Sequence, residues 1–88
     1  GTLVGGAGGP PWVIPTGNPG MATAGMGDVL TGITAGLVAQ AGPGLPVADV
    51  AAAAAFIHGA AGDAAARGGQ RGILASDLTG QLRPWLNP

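Results

Sequence analysis

Hydrophobic positions along the chain switch between two periods. Thr2-Leu3-Val4 and Trp12-Val13-Ile14 are short β-prone runs separated by the glycine- and proline-rich stretch Gly5 to Pro11, which predicts a hairpin or two neighbouring strands. Pro15 to Gly20 is turn chemistry throughout. From Gly27 to Ala41 the spacing becomes helical. Val29, Leu30, Ile33 and Leu37 fall on one face, and Asp28, Gly32, Ala35, Gly36 and Ala39 fall on the opposite one. A helix with no polar side is expected to be buried all round, and its bare face would let another backbone or a ligand come close.

Gly42-Pro43-Gly44 ends that helix, and Pro46 sits where a first turn tolerates proline. A second helix is predicted to run to about Arg67, with Val47, Val50, Ala54, Ile57 and Ala61 on one face. Gly68, Gly69 and Gly72 mark a loop. Ser76 is the expected N-cap of a short last helix that carries Leu78 and Leu82 and is limited by Pro84. There is no internal repeat. Strand, strand, helix, helix, helix is the order expected at the tail end of an α/β domain.

Composition narrows this further. Eighty-eight residues make about one small domain. Nineteen are glycine and 18 alanine, which leaves 23 bulky apolar side chains for a core. A chain this short buries only ~60% of its unfolded surface. It therefore reads as a piece of something larger. Four Asp, three Arg, no Glu and no Lys give a net charge of −1. That excludes the basic footprint of nucleic-acid binding and the charge-driven disorder of acidic tails. The absence of cysteine removes disulfides and thiolate metal sites and fits a reducing cytoplasm.

A mean hydropathy of +0.42 raises the question of a membrane. No basic residue precedes Asp28, so a signal peptide is not expected. The twenty uncharged residues between Asp28 and Asp49 are broken by Gly42, Pro43, Gly44 and Pro46, and the apolar part ends near Ala41. That length suits a buried helix of a soluble protein and not a membrane span.

The informative stretch is Gly17 to Thr31, where a glycine-rich turn opens directly into a helix and one carboxylate stands at the junction. Amides at a helix start, aided by the helix dipole, form an anion site, and glycines let phosphate oxygens approach the backbone. A single Asp before an apolar run is usually only a helix cap. Here Asp28 is the lone ionisable side chain from Gly1 to Ala48 and sits within Gly-x-Gly-Asp, which favours a catalytic or ligand role. Two better-known phosphate loops fail. The P-loop needs a lysine, and the chain has none. The dinucleotide pattern needs a third glycine where Pro11 (counting from Gly6) or Leu30 (from Gly25) stands.

His58 is the single histidine and is expected to be packed or at the surface, with no second His, Cys or Glu to complete a transition-metal site. Asp63, Arg67, Arg71 and Asp77 read as solvated ends and loop contacts, and Trp12 and Trp85 as core or interface fillers.

Asn18 to Gly32, taken at full length, closely resembles the signature of the ADP/ATP-dependent NAD(P)H-hydrate dehydratases of the ribokinase-like superfamily. Phe56 to Asp63 and Gly72 to Leu78 resemble the closing helices of the same family. The resemblance implies that residues 1–88 are the C-terminal portion of one ribokinase-like three-layer α/β/α domain, whose characteristic Lys-Gly-Ala segment would lie just before Gly1-Thr2. It implies dehydration of (6S)-NAD(P)H hydrate to NAD(P)H, with ADP or ATP and Mg2+, in a cytoplasmic homo-oligomer to which an epimerase domain can be fused. By the same resemblance the amides of Gly25, Met26, Gly27 and Asp28 form the anion hole. Gly25, Met26, Gly27, Thr2 and Asn18 would bind nucleotide. Asp28 would bind the nicotinamide hydrate and take the proton from its hydroxyl. The fragment by itself is expected to be inactive. Two alternatives stand beside this reading: another small-molecule kinase of the superfamily, or a non-catalytic packing module whose Gly/Ala faces form an interface.

Overall fold

The computed structural model describes residues 2–6 and 8–87. Ala7, within the expected glycine loop, lies outside the described residues, as do Gly1 and Pro88. The two β-prone runs form strands β1 (Thr2–Val4) and β2 (Trp12–Ile14), paired antiparallel with Thr2 opposite Ile14, Leu3 opposite Val13 and Val4 opposite Trp12. A 3-10 turn at Pro19–Met21 follows, then helices α1 (Met26–Ala41) and α2 (Val47–Ala65). A second 3-10 turn at Ala66–Gly68 leads to the short helices α3 (Ala75–Thr79) and α4 (Arg83–Leu86).

The centre of the structure is α2, which packs against β1, β2, α1 and α3. Val50, Ala52, Ala54, Ala55, His58, Gly59, Ala60, Ala61 and Gly62 are buried, so this helix and not α1 is the more covered one, while Val47, Asp49, Ala53, Phe56 and Asp63 are exposed. Small side chains make that possible, because neighbouring backbones can approach the axis closely. A Cβ on Gly59 would overlap the backbone of Thr16, and one on Gly62 would overlap the Met21 thioether. Each buried alanine methyl contributes only about 0.8 kcal/mol of hydrophobic free energy. Two apolar clusters flank α2. Ile14, Ala52 and Ala55 meet Val4 and Leu30 at one end, and Met26, Ala61, Ile73 and Leu78 pack together at the other.

Several expectations are corrected. Of α1, only Met26 is buried; Val29, Leu30, Ile33 and Leu37 are half-buried, and Gly32, Ala35 and Ala39 are exposed. The bulky stripe reaches α2 and the short helices; on the expected bare face Gly36 is half-buried and borders an open groove with Gly32, Thr79, Leu82 and Leu86, while Asp28, Ala35 and Ala39 are exposed. Ser76 is not the N-cap of α3. Leu74 holds that position, and the Asp77 carboxylate accepts from the Leu74 amide at 2.8 Å, so the cap comes from the third helical residue reaching back. That helix ends at Thr79, and Pro84 opens the first turn of α4 instead of closing α3. The tryptophans are not core. Trp12 is 52% exposed and Trp85 44% exposed, the latter edge-on to Phe56 with ring centroids 5.9 Å apart.

The described residues thus form a helix-rich unit with one two-stranded sheet. Three layers are not seen in them. Leu3 and Val13, opposite each other in register, are 70% and 73% exposed, so one face of the hairpin is bare and apolar. Among the described residues, no helix is long and apolar enough to cross a membrane.

Candidate functional site

Two glycine turns lie in sequence between β2 and α1, and their hydrogen bonding separates their roles. In the first, Thr16 to Thr23, most donors are taken, the amides of Thr16 and Asn18 and the Thr23 hydroxyl being the exceptions among the described residues. The Thr16 hydroxyl donates to the Phe56 carbonyl at 2.9 Å. The Gly17 amide donates to Asp63 Oδ2 at 3.0 Å, and Asn18 Nδ2 donates to Asp63 Oδ1 at 2.9 Å. Asn18 Oδ1 accepts from the Gly20 amide at 3.0 Å, so the Asn18 side chain is engaged at both ends within the turn. The amides of Met21, Ala22 and Thr23 donate to the carbonyls of Asn18, Pro19 and Met21. Pro19 has no amide hydrogen to offer. Gly17 has φ +112°, a left-handed backbone that favours glycine.

The second turn is the opposite case. Gly25 caps α1 with φ +84° and ψ −6°, and its carbonyl accepts from the Val29 amide at 3.1 Å. A helix leaves its first four amides without intrahelical partners. The Met26 amide reaches the Thr23 carbonyl at 3.4 Å, while those of Gly27 and Asp28 have no partner among the described residues. No side chain caps the helix. Asp28 is therefore not a cap: it is the third residue of α1, exposed, and without a hydrogen bond among the described residues.

Gly27 stands beside it. A Cβ built there meets nothing within 4 Å, and its φ is not left-handed. A glycine inside a helix costs about 1 kcal/mol relative to alanine, and here neither packing nor backbone conformation demands it. The space above the first turn is what it keeps open. By contrast, a Cβ on Gly25 would press on Ala75 at 3.3 Å.

Next to this helix start lies an open cleft of about 380 Å³. It brings together three of the residues singled out in the sequence, Thr2, Asn18 and Met26, with Thr16, Met21 and His58 also in its wall. Gly25, Gly27 and Asp28 are not in that lining. They form the turn whose Met26 joins it.

Sequence reasoning missed what holds these parts. His58 is buried, and its Nε2 lies 3.1 Å from the Met26 carbonyl. A carbonyl only accepts, so Nε2 carries the proton. Burial pushes the imidazole below its ordinary value of 6.5, against the smaller opposing effect of the bond to Met26. Asp63, read as a loop contact, is the anchor of the first turn. The signal was present as a helical stripe, since His58, Gly59, Gly62 and Asp63 share one face of α2. Among the described residues, no group of three His, Cys, Asp or Glu could hold a metal ion.

Free amides at a helix start attract phosphate oxygens, and an unengaged carboxylate beside them can accept a proton. The family described as NAD(P)H-hydrate dehydratase matches residues 1–84, and the chain belongs to that family. It is 56% identical over 78 residues to the bifunctional NAD(P)H-hydrate repair enzyme Nnr of Coxiella burnetii, covering 88% of this chain and 15% of that protein. The bifunctional NAD(P)H-hydrate repair enzyme Nnr of Moorella thermoacetica is 63% identical over 68 residues, 76% of this chain and 12% of the relative. The ADP-dependent (S)-NAD(P)H-hydrate dehydratase of Neisseria meningitidis is 46% identical over 78 residues, 85% of this chain and 25% of that enzyme. The chain thus spans a quarter or less of the length of these relatives. No solved structure matches it significantly.

Proposed function

We propose that residues 1–88 are the C-terminal part of an NAD(P)H-hydrate dehydratase domain, and that they bring its phosphate site and its general base. In this reading the parent enzyme restores NAD(P)H from its (6S)-hydrate with consumption of ADP, the nucleotide for which the Neisseria relative is named; ATP is the alternative donor. The amides at the start of α1 receive the phosphoryl group in transfer. Gly27 keeps the approach clear, and Thr2, Asn18 and Met26 border the nucleotide. Asp28 takes the proton from the hydrate hydroxyl as its oxygen bonds to phosphorus, and the bond from phosphorus to the nucleotide's bridging oxygen breaks. The phosphorylated oxygen then leaves as phosphate with loss of a neighbouring ring proton, which restores the double bond. Phosphoryl transfer is mostly positioning and stabilisation of spreading negative charge, and preset amides supply both.

Mg2+ belongs to this reading as a partner of the nucleotide. It would be held largely through the substrate phosphates and would neutralise the negative charge that develops on them. The reading also includes a cytoplasmic homo-oligomer with a second repair domain. The Coxiella and Moorella relatives are both named bifunctional, which supports that domain.

The observation that carries the proposal is the first turn of α1, with free amides, an open Gly27 and an unengaged Asp28. The test is recovery of NADH absorbance from NADH hydrate by the full-length parent, with and without ADP or ATP. Recovery only with nucleotide is the expected result. No recovery with either nucleotide would overturn it.

A further inference from the structure

Asp63 is more than a surface carboxylate. It lies on α2, 45 positions from Asn18 and 46 from Gly17, yet each of its oxygens accepts one hydrogen bond from that turn. The contact fixes the orientation of the Asn18 amide group. With Nδ2 turned to Asp63, Oδ1 is left to accept from the Gly20 amide. The turn so held forms one wall of the cleft beside α1. Two further contacts from α2 grip the same region, the Phe56 carbonyl on Thr16 and His58 on Met26, but these reach its two ends. Between them Met21 packs on Gly62, and Asp63 supplies the side-chain hydrogen bonds that α2 makes to the turn among the described residues. It also takes the Gly17 amide away from any anionic ligand.

We infer that Asp63 is a positioning residue for nucleotide binding, acting through Gly17 and Asn18. This rests on the proposed nucleotide reading of the cleft. The chemistry of the pair makes the inference testable. Asp presents two acceptors to two donors. Asn at position 63 presents one acceptor and one donor, so one bond of the three must fail. Removing a negative charge near an anionic ligand would by itself tighten binding. Positioning and charge therefore predict opposite signs.

The experiment measures ADP binding by calorimetry and thermal unfolding in the full-length parent, for wild type, Asp63→Asn, and the exchange Asp63→Asn with Asn18→Asp. Asp63→Asn is expected to weaken ADP binding roughly three- to tenfold, the scale of one lost hydrogen bond of ordinary strength. In the exchange, Asp at position 18 accepts from Gly20 and from Asn at position 63, which in turn accepts from Gly17. All three bonds return. The Tm lost in Asp63→Asn should then recover, while ADP binding stays weak because the carboxylate now lines the cleft. Unchanged or tighter ADP binding by Asp63→Asn, or no recovery of Tm in the exchange, would overturn the inference while wild-type binding upholds the nucleotide reading. Absence of ADP binding by the wild type would overturn that reading and the inference together.

Discussion

His58 Nε2 lies 3.1 Å from the carbonyl oxygen of Met26, which ties the middle of α2 to the first residue of α1. The first turn of α1 is thus tied to the central helix by a residue that also lines the cleft. Because the imidazole is buried, its neutral form is favoured and its folded pKa falls below 6.5.

A pH dependence follows. Between the lowered folded value and 6.5 the unfolded chain binds more protons than the folded one, so stability rises with pH. The contribution is complete above about pH 6.5 and is lost as pH falls toward and below the folded pKa. Thermal unfolding of the parent should show Tm falling with acidification through this window. In His58→Gln the side-chain amide can still donate to Met26 but does not titrate, so that part of the slope should vanish. An identical slope in the variant would show that His58 is not its source.

Gly27→Val separates binding from folding. A Cβ at position 27 meets no neighbour and needs no left-handed backbone, so the substitution should leave Tm nearly unchanged. The branched side chain would instead stand where phosphate approaches the amides. Nucleotide binding measured by calorimetry should weaken by roughly tenfold or more, about 1.4 kcal/mol. Unchanged affinity would place the phosphate elsewhere.

Both strands and both long helices were legible in the sequence, because turn residues and period changes are local signals. The start of α1 was read within one residue. Burial was less legible. The all-apolar pattern of α1 suggested a buried helix, but its bare face is mostly exposed, and the Ala/Gly-rich α2 occupies the centre. Periodicity shows which residues share a face and not what covers it. At the candidate site, the Gly-x-Gly-Asp signature pointed to Asp28 and Gly27, which stand at the start of α1, Gly27 with open space where a Cβ would be and the Asp28 side chain with no hydrogen bond among the described residues. Asp63 and His58 act across 45 and 32 positions of chain, and a contact at that separation leaves no local pattern except the shared stripe on α2.

The isolated segment is expected not to unfold cooperatively. Half of its buried hydrophobic residues are alanine, and Leu3 and Val13 leave one face of the hairpin bare. Ordering a chain of 88 residues costs on the order of 100 kcal/mol, which so little bulky apolar burial does not offset. A broad, weak calorimetric transition of the purified monomeric segment is the predicted outcome. A sharp two-state melt would contradict it.

The most direct test of the proposed chemistry is the single-turnover rate of NADH-hydrate dehydration by the Asp28→Asn parent, measured beside its Tm. Asp28 caps nothing in the structure, so Asn should leave the fold and its Tm intact. Asn cannot take the hydroxyl proton, and the chemical step should slow by roughly 10²–10⁴-fold, the usual contribution of a positioned general base. ADP binding should persist or tighten as a negative charge leaves the phosphate site. A variant that melts like the parent and turns over within about threefold of it, a barrier change of well under 1 kcal/mol, would show that Asp28 is not the base.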